Sequence, residues 1–225
     1  MSVSMSFSKL NNFENCPKRF YYTYIDTGAL PQVETEQMKR GTRVHNSLEL
    51  YGRTGDAQHL TTESKKYKDV VDRILSASGD KYYEFNMAIT KSKDICSWDS
   101  PNLWLRGIAD VLIVDGSTAH CLDYKTGKVK NDSTQLQIFS LLTFAHFPKV
   151  EEVNTGYLWL AHDELSAMTY SRSYLSSFWE SIEARIDKVY EAIETDTFPT
   201  RPTKLCGWCQ AKEICPDAYE ERRRR

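Results

Sequence analysis

Apolar side chains recur along the chain with two periods, three to four residues in some stretches and two in others, which mark helices and strands respectively. Residues 174–193 carry Phe178, Ile182, Ile186, Val189 and Ile193 at helical spacing and predict a long amphipathic helix. Residues 37–51, with Val44, Leu48 and Tyr51 on one side, predict another. Residues 65–76 predict a more polar helix whose apolar side is Val70, Val71, Ile74 and Leu75, and residues 135–146 an apolar one. Residues 6–24 read as helical on both sides of Cys16-Pro17, where the proline ring breaks the run. Residues 83–90, 104–114, 119–125 and 152–161 read as strands. Helices, then a meander of strands, then helix, strand and helix predict an α/β fold with a mixed central sheet flanked by helices.

A chain of 225 residues can bury one substantial core, so a single domain over 1–225 is expected. The net charge of -2 excludes a surface coated in positive charge. It does not exclude a nucleic-acid partner, because a local basic stripe or bound divalent cations reverse the sign of a cleft. No apolar run approaches the roughly 18–20 residues that span a bilayer. The first residues also lack the basic and apolar regions of a secretory signal. The expectation is a cytoplasmic protein without a membrane partner. Six cysteines in a reducing compartment point to metal more than to disulfides. The basic tail at 219–225 is expected to fray.

The stretch from Gly107 to Thr126 is the most informative. Two β-rich runs flank Asp115-Gly116, a hairpin signal because both positions of a type I′ turn need positive φ. If those two residues form the loop, Val114 faces Ser117 and Asp110 lies opposite Cys121. Asp110, Cys121, Asp123 and Lys125 then share one face, with Asp110 and Asp123 as diagonal neighbours able to share a metal ion. A three-residue loop would put the two carboxylates on opposite faces. Val111, Leu112, Ile113 and Val114 imply a strand covered on both sides. Charges buried there are costly unless paired or metal-bound. Glu84, in the preceding strand, is a candidate further acidic ligand, with an ordinary strand-edge charge as the competing reading.

Gly107-Ile-Ala-Asp110 followed by Asp123-Tyr-Lys125-Thr126 resembles the core of PD-(D/E)xK nucleases of the RecB type. The likeness extends to His45 on an upstream helix and to Gln135 on the helix after the core, and spans about residues 4–216. The family pattern usually has Tyr where this chain has Phe139, which keeps aromatic stacking and removes a hydroxyl. The resemblance implies a restriction-endonuclease-like sheet with Asp110, Asp123, Lys125 and Gln135 as catalytic residues. It also implies Mg²⁺ or Mn²⁺ held by His45, Asp110 and Asp123, with the Tyr124 carbonyl as a further ligand beside the candidate Glu84. The chemistry suits these types: hard oxygen ligands hold the cation, and Lys125 orients water and neutralises charge. A nitrogen ligand such as His45 biases the site toward Mn²⁺.

Cys206-Gly-Trp-Cys209 places two thiolates on one tight turn, Cys215-Pro216 adds a third, and Cys16 is the candidate fourth. The Cys16-Pro-Lys-Arg-Phe-Tyr-Tyr segment resembles iron–sulfur RecB-type nucleases, including the AddB-type and CRISPR-adaptation enzymes, which implies a [4Fe–4S] cluster. Zinc suits four thiolates equally well. Segments 1–30 and 199–218 would then form a clamp, while Cys96 and Cys121 read as small buried or half-buried residues.

Lys18, Arg19, Tyr21, Arg43, Lys128 and Phe139 are candidate DNA contacts, combining phosphate tracking with base stacking. The resemblance implies an exonuclease on single-stranded DNA or DNA ends, with recombination or replication proteins as partners. The rival is a non-catalytic iron–sulfur module that binds nucleic acid or organises an assembly.

Overall fold

The computed structural model of the protein describes residues 3–30, 34–127 and 133–217, so Lys128 and the basic tail lie outside the described residues. The chain divides into two compact units. One comprises Met1–Ser4 and Glu34–Trp179; the other comprises Met5–Val33 and Glu180–Arg225.

The first unit is built on a five-stranded sheet in the order β1-β2-β3-β4-β5. Its strands are β1 (Asp80–Ile89), β2 (Leu105–Asp115), β3 (Thr118–Lys125), β4 (Glu152–Trp159) and β5 (Glu164–Ser171). All neighbours are antiparallel except β3 and β4, which run parallel. A parallel pair needs a crossover, supplied by α5 (Thr134–His146). That helix is buried at eight positions, including Leu136, Phe139 and Phe144. Helices α3 (Glu36–Thr54) and α4 (Lys68–Ser76) bring Val44, Leu48, Tyr51, Val70, Val71 and Ile74 together with Tyr83, Val111, Ile113 and Tyr124. Thr35 caps α3 by accepting from the Met38 N–H at 3.2 Å, and Gly55 at φ 70 ends it.

The hairpin forms with a different two-residue turn. Asp115 pairs with Thr118, so Gly116 (φ 61) and Ser117 make the loop. Val114 accordingly pairs with Ala119 and Cys121 with Leu112, in place of the expected Ser117 and Asp110. The correction moves the register by two residues, which leaves every side chain on its expected face. Asp110 becomes the position directly across from Asp123. The sequence pattern does not predict β5, an edge strand that leaves Leu165 and Met168 exposed and so carries no clear alternation.

In the second unit the helical run breaks at the expected proline, giving α1 (Phe7–Asn15) and α2 (Pro17–Phe20), followed by a wider helical turn over Tyr21–Ile25. The remainder of α6 (Leu175–Glu194) buries Ile182, Ile186 and Val189, the positions its periodicity singles out. Arg185 grips Glu14 with two bonds of 2.6 and 2.7 Å. No described helix is long and apolar enough to cross a membrane.

Candidate metal centre and catalytic hairpin

Asp110 lies where β2 and β3 part. The ladder ends at Val111 and Leu122, and beyond it the Asp110 Oδ2 accepts the Tyr124 N–H at 2.5 Å. Its other oxygen lies 3.1 Å from His45 Nδ1 on α3. The carboxylate therefore fills a slot that strand pairing would otherwise close.

Glu84 reaches the same place by a backbone irregularity. Tyr83 pairs with Val111 and Phe85 with Ala109, but Glu84 between them takes φ 47. A left-handed conformation at a non-glycine strand residue costs about 1–3 kcal/mol and persists only where the surroundings hold it. Its result is that ligand atoms of His45, Glu84 and Asp110 all lie within 4.8 Å of one another. An imidazole nitrogen and two carboxylates at that separation suit a divalent cation.

The electrostatics say the same. Burial, then the Asp110 charge and a hydrogen bond to it, raise the Glu84 pKa to about 7. Burial and Asp110 likewise push the Asp123 carboxyl up, against the pull of Lys125. For His45, burial opposes the charged ring, but the bond to Asp110 and the charges of Asp110, Asp123 and Glu84 outweigh it and raise the pKa. Three acids crowd one site, and a bound cation would relieve them.

Asp123 forms a second group beside the first. Its Oδ1 accepts from Gln135 Nε2 at 2.7 Å, its Oδ2 lies 2.5 Å from Lys125 Nζ, and Lys125 Nζ donates to Gln135 Oε1 at 3.1 Å. Asp110 and Asp123 are both buried, whereas the Lys125 side chain keeps 31% of its exposure and can meet a substrate. The Tyr124 ring packs edge-on against His45, and its N–H is the backbone group seen on Asp110.

The other expected residues are dispersed. Phe139 is buried and lies beneath Gly107, where an added Cβ would meet its ring at 3.1 Å. The expected stacking role is corrected to one in the core: the ring has no face to offer a base. Arg43 is exposed and lies 3.5 Å from Glu63. In the second unit Lys18 sits over the rings of Tyr21 and Tyr22, and Arg19 is exposed. Cys16, Cys206, Cys209 and Cys215 are free, partly exposed thiols of that unit. The segments bearing them meet: the Lys18 N–H donates to the Pro199 carbonyl at 3.2 Å and the Tyr22 hydroxyl to that of Ile214 at 3.5 Å.

Two further residues near the centre lie outside the motif pattern. Glu49 and Arg53 continue the His45 stripe of α3 at intervals of four, the spacing that could have found them. Arg53 donates through Nε to Glu49 at 2.8 Å and through Nη2 to the Tyr83 carbonyl.

No curated protein matches the chain. Among solved structures it is similar to a protein of Eubacterium rectale named provisionally as an exonuclease. The TM-score is 0.53 at 13% identity, covering 92% of this chain and 87% of that one, a likeness of fold. It also aligns with SSO0001 at TM-score 0.43 and 14% identity over 97% and 88% of the two chains, too low to carry an argument. A sequence model of the PD-(D/E)XK nuclease superfamily matches residues 4–216. With nearly all of the described chain inside that match, the protein belongs to the PD-(D/E)XK nuclease superfamily.

Proposed function

We propose that the protein is a divalent-metal-dependent deoxyribonuclease, an exonuclease on single-stranded DNA or DNA ends. The observation that carries this reading is the juxtaposition of His45, Glu84 and Asp110 within 4.8 Å, beside the Asp123–Lys125–Gln135 group. Nucleases of this superfamily use divalent metals. His45, Glu84, Asp110 and Asp123 would hold Mg²⁺ or Mn²⁺, with the Tyr124 carbonyl as a further oxygen. When bound, the cation supplies a nucleophile at neutral pH and neutralises charge building on the phosphate. Gln135 fixes the Asp123 carboxylate through Oδ1. Lys125, held between Asp123 and Gln135, orients the attacking water and donates to the phosphate oxygen as charge develops there. Lys18, Arg19, Tyr21, Arg43 and Lys128 are the proposed contacts to DNA.

A [4Fe–4S] cluster on Cys16, Cys206, Cys209 and Cys215 is part of the proposal. Its support is the meeting of the two cysteine-bearing segments within one unit. Its role is to tie those segments together.

The experiment is a time course on 5′- and 3′-labelled single and double strands with Mn²⁺ or Mg²⁺. The expected result is release of short products from an end of linear strands, with circular single strands resistant. Tight binding without cleavage in either metal overturns the proposal in favour of a non-catalytic module.

A further inference from the structure

The Tyr83 carbonyl belongs to the peptide whose orientation relative to the Glu84 Cα defines φ at Glu84. That carbonyl is the acceptor of Arg53 Nη2, and Arg53 is itself anchored through Nε on Glu49, 2.8 Å away. β1 is an edge strand, so one row of its carbonyls lacks a strand partner. The pairs Tyr83–Val111 and Phe85–Ala109 fix the strand on either side and leave the intervening peptide free to turn. A guanidinium holding that carbonyl keeps the peptide in the orientation that gives Glu84 its φ of 47. The same orientation brings the Glu84 carboxylate to His45 and Asp110.

We infer that Arg53 is a positioning residue for the cation site: by gripping the Tyr83 carbonyl it holds Glu84 in the left-handed conformation that makes it a ligand. This rests on the metal site proposed above. Arg53 bonds Glu49 and the Tyr83 carbonyl, and it reaches Glu84 through that peptide. Without it Glu84 relaxes to the ordinary extended conformation, and the carboxylate turns away from the other two ligands. The guanidinium is suited to this because its fork serves two acceptors from one rigid plane, whereas an ammonium on a flexible stem does not hold both in fixed geometry.

The test measures the Mn²⁺ dissociation constant, by calorimetry and by loss of the free-ion electron paramagnetic resonance signal. The proteins are the full-length wild type, R53A, E84Q and the R53A/E84Q double variant, each with its thermal midpoint. Expected is a loss of affinity of about tenfold in R53A, the scale of removing a group that orients a ligand. E84Q is expected to lose at least as much, and the double variant no more than E84Q alone, because both substitutions remove one contact. Should R53A not fold, R53K replaces it, and an affinity between wild type and E84Q supports the inference. Wild-type affinity in R53A or R53K, or losses that multiply in the double variant, overturns it while leaving the metal site standing. A wild type that binds no Mn²⁺ overturns the site and this inference together.

Discussion

Each acid at the centre is set by one local circumstance. Asp110 owes its place to the parting of β2 and β3, and Glu84 to a single left-handed backbone angle. Asp123 is held by Lys125 and Gln135. Burial and the Asp110 charge raise the pKa values of Glu84 and Asp123, and for His45 the bond to Asp110 and the neighbouring acids outweigh burial and raise it as well. A folded-state pKa above the unfolded one means the folded state binds more protons, so stability is present below the unfolded pKa and lost as pH rises through the folded one. For Glu84 that window runs from about 4.3 in the unfolded chain to about 7 in the fold. Chelator-treated protein should therefore melt at a lower temperature at pH 8 than at pH 5.5, and Mn²⁺ should raise the melting point most at pH 8. A chelated protein that gains stability between those pH values contradicts the electrostatic reading of the site.

Most elements follow from the periodicity of apolar side chains. Asp110, Asp123 and Lys125 share a face because the strand period is two, and a register error of two residues preserves faces. Asp115-Gly116 and Gly116-Ser117 both satisfy turn chemistry, so the sequence does not choose between them. The place of Glu84 was undecidable, since a period-two pattern does not foresee a residue at φ 47. The stacking role of Phe139 rests on the resemblance alone, and it fails because α5 is buried at eight positions, Phe139 among them. The contact of α3 with β1 offers a test. A Cβ on Gly52 would overlap the Tyr83 ring, which is buried. Alanine gains about 0.5–1 kcal/mol over glycine in a helix, but overpacking costs about 1–3 kcal/mol. Gly52→Ala should lose about 1–2 kcal/mol in denaturant unfolding, and its displaced Tyr83 should weaken Mn²⁺ binding as well. A more stable variant with unchanged metal affinity would show that Tyr83 shifts freely and that the packing argument is wrong.

At the scale of the whole molecule, the two units carry different chemistry. The first holds the acids, His45 and Lys125; the second holds the four cysteines and a cation–π group of Lys18, Tyr21 and Tyr22. The cysteines bracket the chain in sequence, and a cluster on them would add stability by joining segments far apart along it. Protein grown with ample iron should be brown, and Cys206→Ser should lose the colour and several degrees of melting temperature together. A colourless wild type as stable as the variant contradicts the cluster without touching the nuclease site. Under the proposed function Lys125 serves the reaction while the carboxylates and His45 hold the cation, so its removal separates cleavage from metal binding. Hydrolysis of a labelled single strand and Mn²⁺ affinity are measured on wild type and Lys125→Ala together. Hydrolysis is expected to fall by about 10²–10³ while Mn²⁺ affinity stays within a few-fold; Lys125→Ala cleaving at the wild-type rate overturns the proposed nuclease chemistry.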